Sequence, residues 1–82
     1  MNELLLGEGA ERDYTDSLVW YAERSRFAAL GFEAEIEWAF EKIAENPERY
    51  PFCDDRHRFM LLRKYPFQIL YRPVSDGQRL VN

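Results

Sequence analysis

Two short apolar runs hinged at Tyr65-Pro66, inside the stretch Arg58-Phe-Met-Leu-Leu-Arg-Lys-Tyr-Pro-Phe-Gln-Ile-Leu-Tyr-Arg72, constrain this chain more than any other feature. Each run is rich in aromatic and branched residues and bounded by turn residues, which reads as a strand rather than as a helix too brief to stand alone. Pro66 has no amide proton and pushes Tyr65 toward extended geometry, so the chain is expected to reverse there and the runs to pair antiparallel. A hairpin with two apolar strands needs cover, and the upstream sequence is patterned to supply it.

Glu3-Leu-Leu-Leu6 reads as a short first strand, ended by Gly7-Glu8-Gly9. From Ala10 to Arg24, the residues Ala10, Tyr14, Leu18, Tyr21 and Ala22 recur on one helical face, with Gly9 as the expected N-cap. Ser25 can cap a second helix over Arg26 to Glu45, whose apolar stripe is Ala28, Phe32, Ile36, Ala39, Phe40 and Ile43. Glu33, Glu37, Glu41 and Glu45 run down another side and read as a solvated face, because like charges four residues apart repel. Gly31 is expected to allow close packing of the second helix against the first, and Trp20 and Trp38, off their main stripes, to pack at the seam between them or else to form an exposed aromatic patch that awaits a partner.

Asn46-Pro47 stops the second helix, and Glu48 to Asp55 forms a connecting loop. After the central hairpin Pro73 is expected to close the second strand, Asp76-Gly77 to make a tight turn, and Arg79-Leu-Val-Asn82 to begin a third hairpin strand. The order is strand, helix, helix, strand, strand, strand. The expected class is α+β, with two N-terminal helices packed on one face of a small antiparallel sheet and residues 1–82 as a single domain. The last strand is expected to leave an unpaired sheet edge that a partner could complete.

Composition fits this reading and narrows the chemistry. A 46% hydrophobic content supplies a core, although a domain of roughly this size buries only about 60% of its unfolded surface. Cys53 is the lone cysteine, so no internal disulfide can form, which fits a reducing cytoplasm, and no paired-cysteine metal site is available. No apolar run approaches membrane-spanning length, and the Leu4–Leu6 run lacks the flanks of a signal peptide. The net charge of -4 conceals a division: residues 1–48 carry 4 basic against 12 acidic side chains, and residues 49–82 carry 7 against 3. Either the halves present different partner surfaces or they neutralise one another.

Few residue types suited to catalysis are present. His57, the one histidine, has no second histidine or nearby cysteine to share a metal, and reads as a surface residue. Cys53 has Asp54 beside it, which disfavours a thiolate. No cofactor-binding loop is present. The catalytic candidates are therefore Arg58, Arg63 and Arg72, with Lys64 beside the turn: guanidinium groups can hold a scissile phosphate and stabilise its developing charge. A nuclease would also need a proton-transfer group, for which Tyr65 and Tyr71 are the nearby residues; Tyr71 is expected in the core. An exposed, solubilising sheet rim is the alternative for the arginines.

Trp20-Tyr21 in the first helix, Glu45-Asn-Pro-Glu-Arg-Tyr-Pro51 after the second, then Arg63-Lys-Tyr-Pro-Phe67 and Ile69-Leu-Tyr-Arg72 together resemble the RelE/ParE superfamily of type II toxin–antitoxin toxins, in its plasmid stabilisation protein branch. The resemblance covers about nine tenths of the chain through the order of its motifs. It implies a cytoplasmic bacterial or archaeal toxin with no cofactor, neutralised by a cognate antitoxin protein, with a heterotetramer of the two as one assembly. DNA gyrase or the ribosome with its mRNA is the implied target. Two departures qualify it. Gln68 stands where nuclease members carry arginine, and Phe59 and Leu61 stand where they tend to carry lysines. The chain also ends at Asn82, before the basic and aromatic C-terminal segment of that branch. Three readings follow: a toxin that binds gyrase, a ribosome-dependent mRNA endoribonuclease that needs no metal, and a truncated, non-toxic relative that only binds antitoxin.

Overall fold

Ser25 divides one long helical stretch into two, α1 (Glu8–Arg24) and α2 (Arg26–Glu45). Its backbone is extended, its N–H donates to the Tyr21 carbonyl at 2.8 Å to end α1, and its hydroxyl accepts from the Ala28 N–H at 3.2 Å to start α2. The second helix thus has the bounds and cap its sequence predicts. A computed structural model of the chain describes residues 2–82, and around this helical hairpin it places β1 (Glu3–Leu6), β2 (Arg58–Leu61), β3 (Gln68–Ser75) and β4 (Gln78–Val81).

The first helix begins two residues earlier than expected, with Gly7 rather than Gly9 as its N-cap. Gly7 is where the backbone leaves the sheet: its N–H donates to the Val81 carbonyl at 2.9 Å, and a Cβ there would lie 3.1 Å from that same oxygen. Close backbone approach, not helix propensity, selects glycine at this point.

The strands form one four-stranded sheet in the order β1-β4-β3-β2, and the fold is α+β with the element order read from the sequence. The hairpin hinged at Tyr65-Pro66 pairs antiparallel, with Arg58 opposite Tyr71 and Met60 opposite Ile69. β3 and β4 are also antiparallel, turning at Asp76-Gly77, where Gly77 takes φ 76° as only glycine does freely. One pairing departs from the antiparallel expectation: β1 lies parallel to β4, so the sheet is mixed. The two intervening helices act as the crossover that a parallel connection requires.

Two further expectations are corrected. Pro73 does not end β3; the strand continues to Ser75 through a register shift between Pro73 and Ser75, an irregularity that accommodates a residue without an N–H. Nor does the last strand leave an open edge. β4 is interior, flanked by β1 and β3, and the sheet edges are β1 and β2. An edge that a partner could complete is therefore β1 or β2, not the last strand.

The helices cover one face of the sheet. Phe32, Ile36, Ala39 and Ile43 of α2 meet Met60, Ile69, Tyr71 and Val81 in the core, and Ala10, Tyr14, Leu18 and Tyr21 of α1 close its flank. Ala22, expected in that stripe, is exposed. Strand alternation sends Phe59, Leu61, Leu70 and Leu80 to the other face, which no helix covers. Among the described residues no helix is long and apolar enough to cross a membrane.

The β2–β3 loop locks the layers together. Gly31 does not bring the helices closer; it receives Tyr65, whose ring meets Tyr21 and Phe32 edge-on and whose hydroxyl donates to the Ala28 carbonyl at 2.9 Å. Beside it the buried carboxylate of Glu35 accepts from the backbone N–H of Arg63 and, at 2.9 Å, of Lys64.

Candidate functional site

The candidate arginines divide between two ends of the central hairpin. Arg58 opens β2 and Arg72 lies on β3 one residue past Arg58's partner Tyr71, whereas Arg63 follows β2 at the turn. Arg58 and Arg63 are five positions apart in the chain, and the three steps from Arg58 to Leu61 along β2 alone span about 10 Å.

Arg63 is occupied at its own end. Its guanidinium lies 3.8 Å from the centre of the Trp38 ring, and its Nε is 4.0 Å from the Glu35 carboxylate. The stack explains Trp38, which is half-buried at the core margin under an arginine from the sheet. Trp20 is not at a helix seam either: half exposed, it meets Tyr21 edge-on and carries the Arg24 guanidinium at 3.6 Å over its ring.

At the other end a cleft of about 500 Å3 opens beyond the C-terminal end of α2. Arg56, Arg58, Arg72 and Arg79 line it, with Glu48 and Asp55 at its margin and Phe52, Tyr71 and Pro73 as apolar wall. Local pairing creates this convergence. Phe52 bridges to Arg58, Arg58 pairs with Tyr71, and Pro73 pairs with Arg79, so residues remote in sequence meet across one end of the sheet. Arg58 is fixed, donating to the Tyr50 carbonyl at 2.7 Å while its guanidinium stacks 4.0 Å from the centre of the Phe52 ring.

Neither tyrosine is placed for proton transfer. Tyr71 is 1% exposed, as expected of a core residue, and its hydroxyl donates to the Pro47 carbonyl at 2.5 Å. Burial pushes its phenol up to about 12, only partly offset by Arg58 and Arg79. The Tyr65 hydroxyl is spent on Ala28, next to Arg63 rather than the cleft.

His57 is more enclosed than a surface histidine. Its Nδ1 lies 3.0 Å from Asp54 Oδ2, and its Nε2 meets the side-chain amide of Asn82 at 2.6 Å. Asp54 organises this loop by accepting from the backbone N–H groups of Arg56 and His57, and these bonds, that of Arg56 foremost, hold its carboxyl below the usual carboxylate range. The ring is held by both nitrogens, a positioned strut between the loop and the end of β4. Cys53 is exposed and its N–H donates to the His57 carbonyl at 2.9 Å.

Charge remains divided in three dimensions. Of the ion pairs among the described residues, Lys42–Glu45, His57–Asp54 and Arg63–Glu35, only the last joins the acidic helices to the basic sheet half. The halves therefore do not neutralise each other side chain by side chain.

The sequence candidates supplied two members of the cleft, Arg58 and Arg72, and omitted Arg56, Arg79 and Phe52. Their only linear signal is the density of arginine after residue 49. What fold and site define is a two-layer α+β domain with a basic cleft at one end of its sheet. No protein-family model matches the chain, and no curated protein matches it.

Proposed function

We propose that the chain is the toxin component of a type II toxin–antitoxin system of the plasmid stabilisation kind, neutralised by a cognate antitoxin and acting by binding DNA gyrase rather than by cleaving RNA. The resemblance to the RelE/ParE superfamily supports the class, and the β-α-α-β-β-β order is compatible with it. One observation carries the choice of mode: Arg63 stands a strand's length from Arg58 and Arg72, and the hydroxyls of Tyr65 and Tyr71 are both committed to backbone carbonyls. Phosphodiester cleavage needs charge stabilisation and proton transfer at one phosphate, and this arrangement favours a binding surface instead. The uncovered sheet face with Phe59, Leu61, Leu70 and Leu80 offers a macromolecular partner an apolar footing.

The test is induction in a bacterial host with and without the neighbouring gene product, followed by assays of plasmid supercoiling and transcript integrity. Growth arrest with altered supercoiling and intact transcripts, relieved by the neighbour, is expected. Transcripts cut on translating ribosomes, and spared in an Arg63→Ala variant, would establish the endoribonuclease reading in its place.

A further inference from the structure

We propose that the basic cleft binds a nucleoside bearing a terminal phosphate monoester. Four arginines, Arg56, Arg58, Arg72 and Arg79, line one cleft, and among the described residues none forms an ion pair with Glu48, Asp55 or any other carboxylate. Unpaired like charges around a common space repel one another, and a bound anion removes that repulsion. Four arginines against two carboxylates leave the lining a formal +2. A phosphate monoester, at about -1.5 to -2 near neutral pH, matches that charge, and its oxygens suit the planar fork of arginine.

The apolar wall assigns the remainder of the ligand. Phe52 is 57% exposed even though Arg58 lies against one face of its ring, so the other side is open to a flat partner. An arginine–aromatic platform beside basic side chains is the arrangement on which bases stack while the backbone phosphate is held. At about 500 Å3 the cleft falls within the roughly 300–1,000 Å3 typical of small-ligand sites. Arg58 is held in place by Tyr50, so this part of the site is formed before the ligand arrives. The inference does not depend on the toxin reading: a chain with no toxicity and the same cleft would bind the same ligand.

Titration of the intact chain with adenosine 5′-monophosphate, adenosine, inorganic phosphate and a glutamate-rich peptide decides the matter. Saturable binding of the monophosphate is expected below about 1 mM, with adenosine and inorganic phosphate each at least about tenfold weaker. Arg56→Gln, on an exposed loop, and Phe52→Ala are each expected to weaken binding by about tenfold while leaving the circular dichroism spectrum unchanged. A short single-stranded oligonucleotide with and without a 5′-phosphate separates the two sources of this chemistry. Tighter binding of the phosphorylated strand than of the free nucleotide identifies a strand end, and the reverse order a free nucleotide; either supports the site. Equal binding of adenosine and its monophosphate, inorganic phosphate as tight as the nucleotide, tighter binding of the acidic peptide, or no saturable binding overturns it.

Discussion

Tyr65 lies against Gly31 so closely that the phenolic oxygen occupies the space a Cβ on that helix residue would need. The contact docks the β2–β3 loop onto α2, and the same hydroxyl donates to the Ala28 carbonyl. Alanine at position 31 would gain about 1 kcal/mol of helix propensity, but Tyr21 and Phe32 hold the Tyr65 ring and restrict its retreat. Gly31→Ala is therefore expected to destabilise the protein by about 1–2 kcal/mol in urea unfolding. In a Tyr65→Phe background the sign should reverse or the loss should vanish, giving a coupling in the double-mutant cycle. Additive effects would show that the contact is not what limits this position.

Glu35 acts on the same loop from one turn further along α2. It is buried and accepts from two consecutive backbone N–H groups, those of Arg63 and Lys64. Glu35→Ala should leave both without that acceptor and lower stability by about 2–3 kcal/mol, whereas Glu35→Gln, which retains one acceptor oxygen, should lose less. Equal losses in chemical denaturation would mean that packing, not hydrogen bonding, explains the residue.

The Tyr71 phenol sets an alkaline limit. Its ionisation is raised to about 12 in the folded protein, against an ordinary value near 10 in the unfolded chain. Because the unfolded state releases this proton first, the associated stability is full below about pH 10 and is lost as pH rises toward 12. Tyr71→Phe should flatten that part of the stability–pH curve relative to the parent. A parallel curve would show that the Tyr71 hydroxyl does not contribute.

Asp54 sets an acid limit of the opposite sign. Its carboxyl is depressed, first by the Arg56 N–H and then by the His57 N–H, so its contribution is present above the ordinary carboxylate range and is lost as pH falls through its lowered folded value. NMR titration should place its midpoint below the ordinary aspartate value of about 3.9. In Asp54→Asn the acid-side loss attributable to this group should disappear, with the largest amide shift changes at Arg56 and His57. An ordinary midpoint for Asp54 would count against the loop geometry.

The helical layer was legible because its signals are local: Ser25 caps α2, Asn46-Pro47 ends it, and Phe32, Ile36, Ala39 and Ile43 share one stripe. Tyr65-Pro66 likewise announced the hairpin. Glu35 was missed although a signal existed, since three residues after Phe32 and four before Ala39 is a position on the buried stripe. The parallel seat of β1 had no local signal, because it depends on pairing residues 3–6 with residues 78–81. The cleft was half legible for the same reason. Arg58 and Arg72 belong to the hairpin that sequence predicts, but Arg56 and Arg79 join them only through the Phe52 bridge and the shifted β3–β4 register.

Seating the first strand beside the last has a consequence for synthesis on the ribosome. The leading segment Glu3–Leu6 must wait, exposed, until Gln78–Val81 has emerged and folded back, whereas the helical hairpin can form as soon as it is made. Completion of the sheet thus waits for Gln78–Val81, and a chain stalled after Ser75 would display three leucines with no strand to receive them.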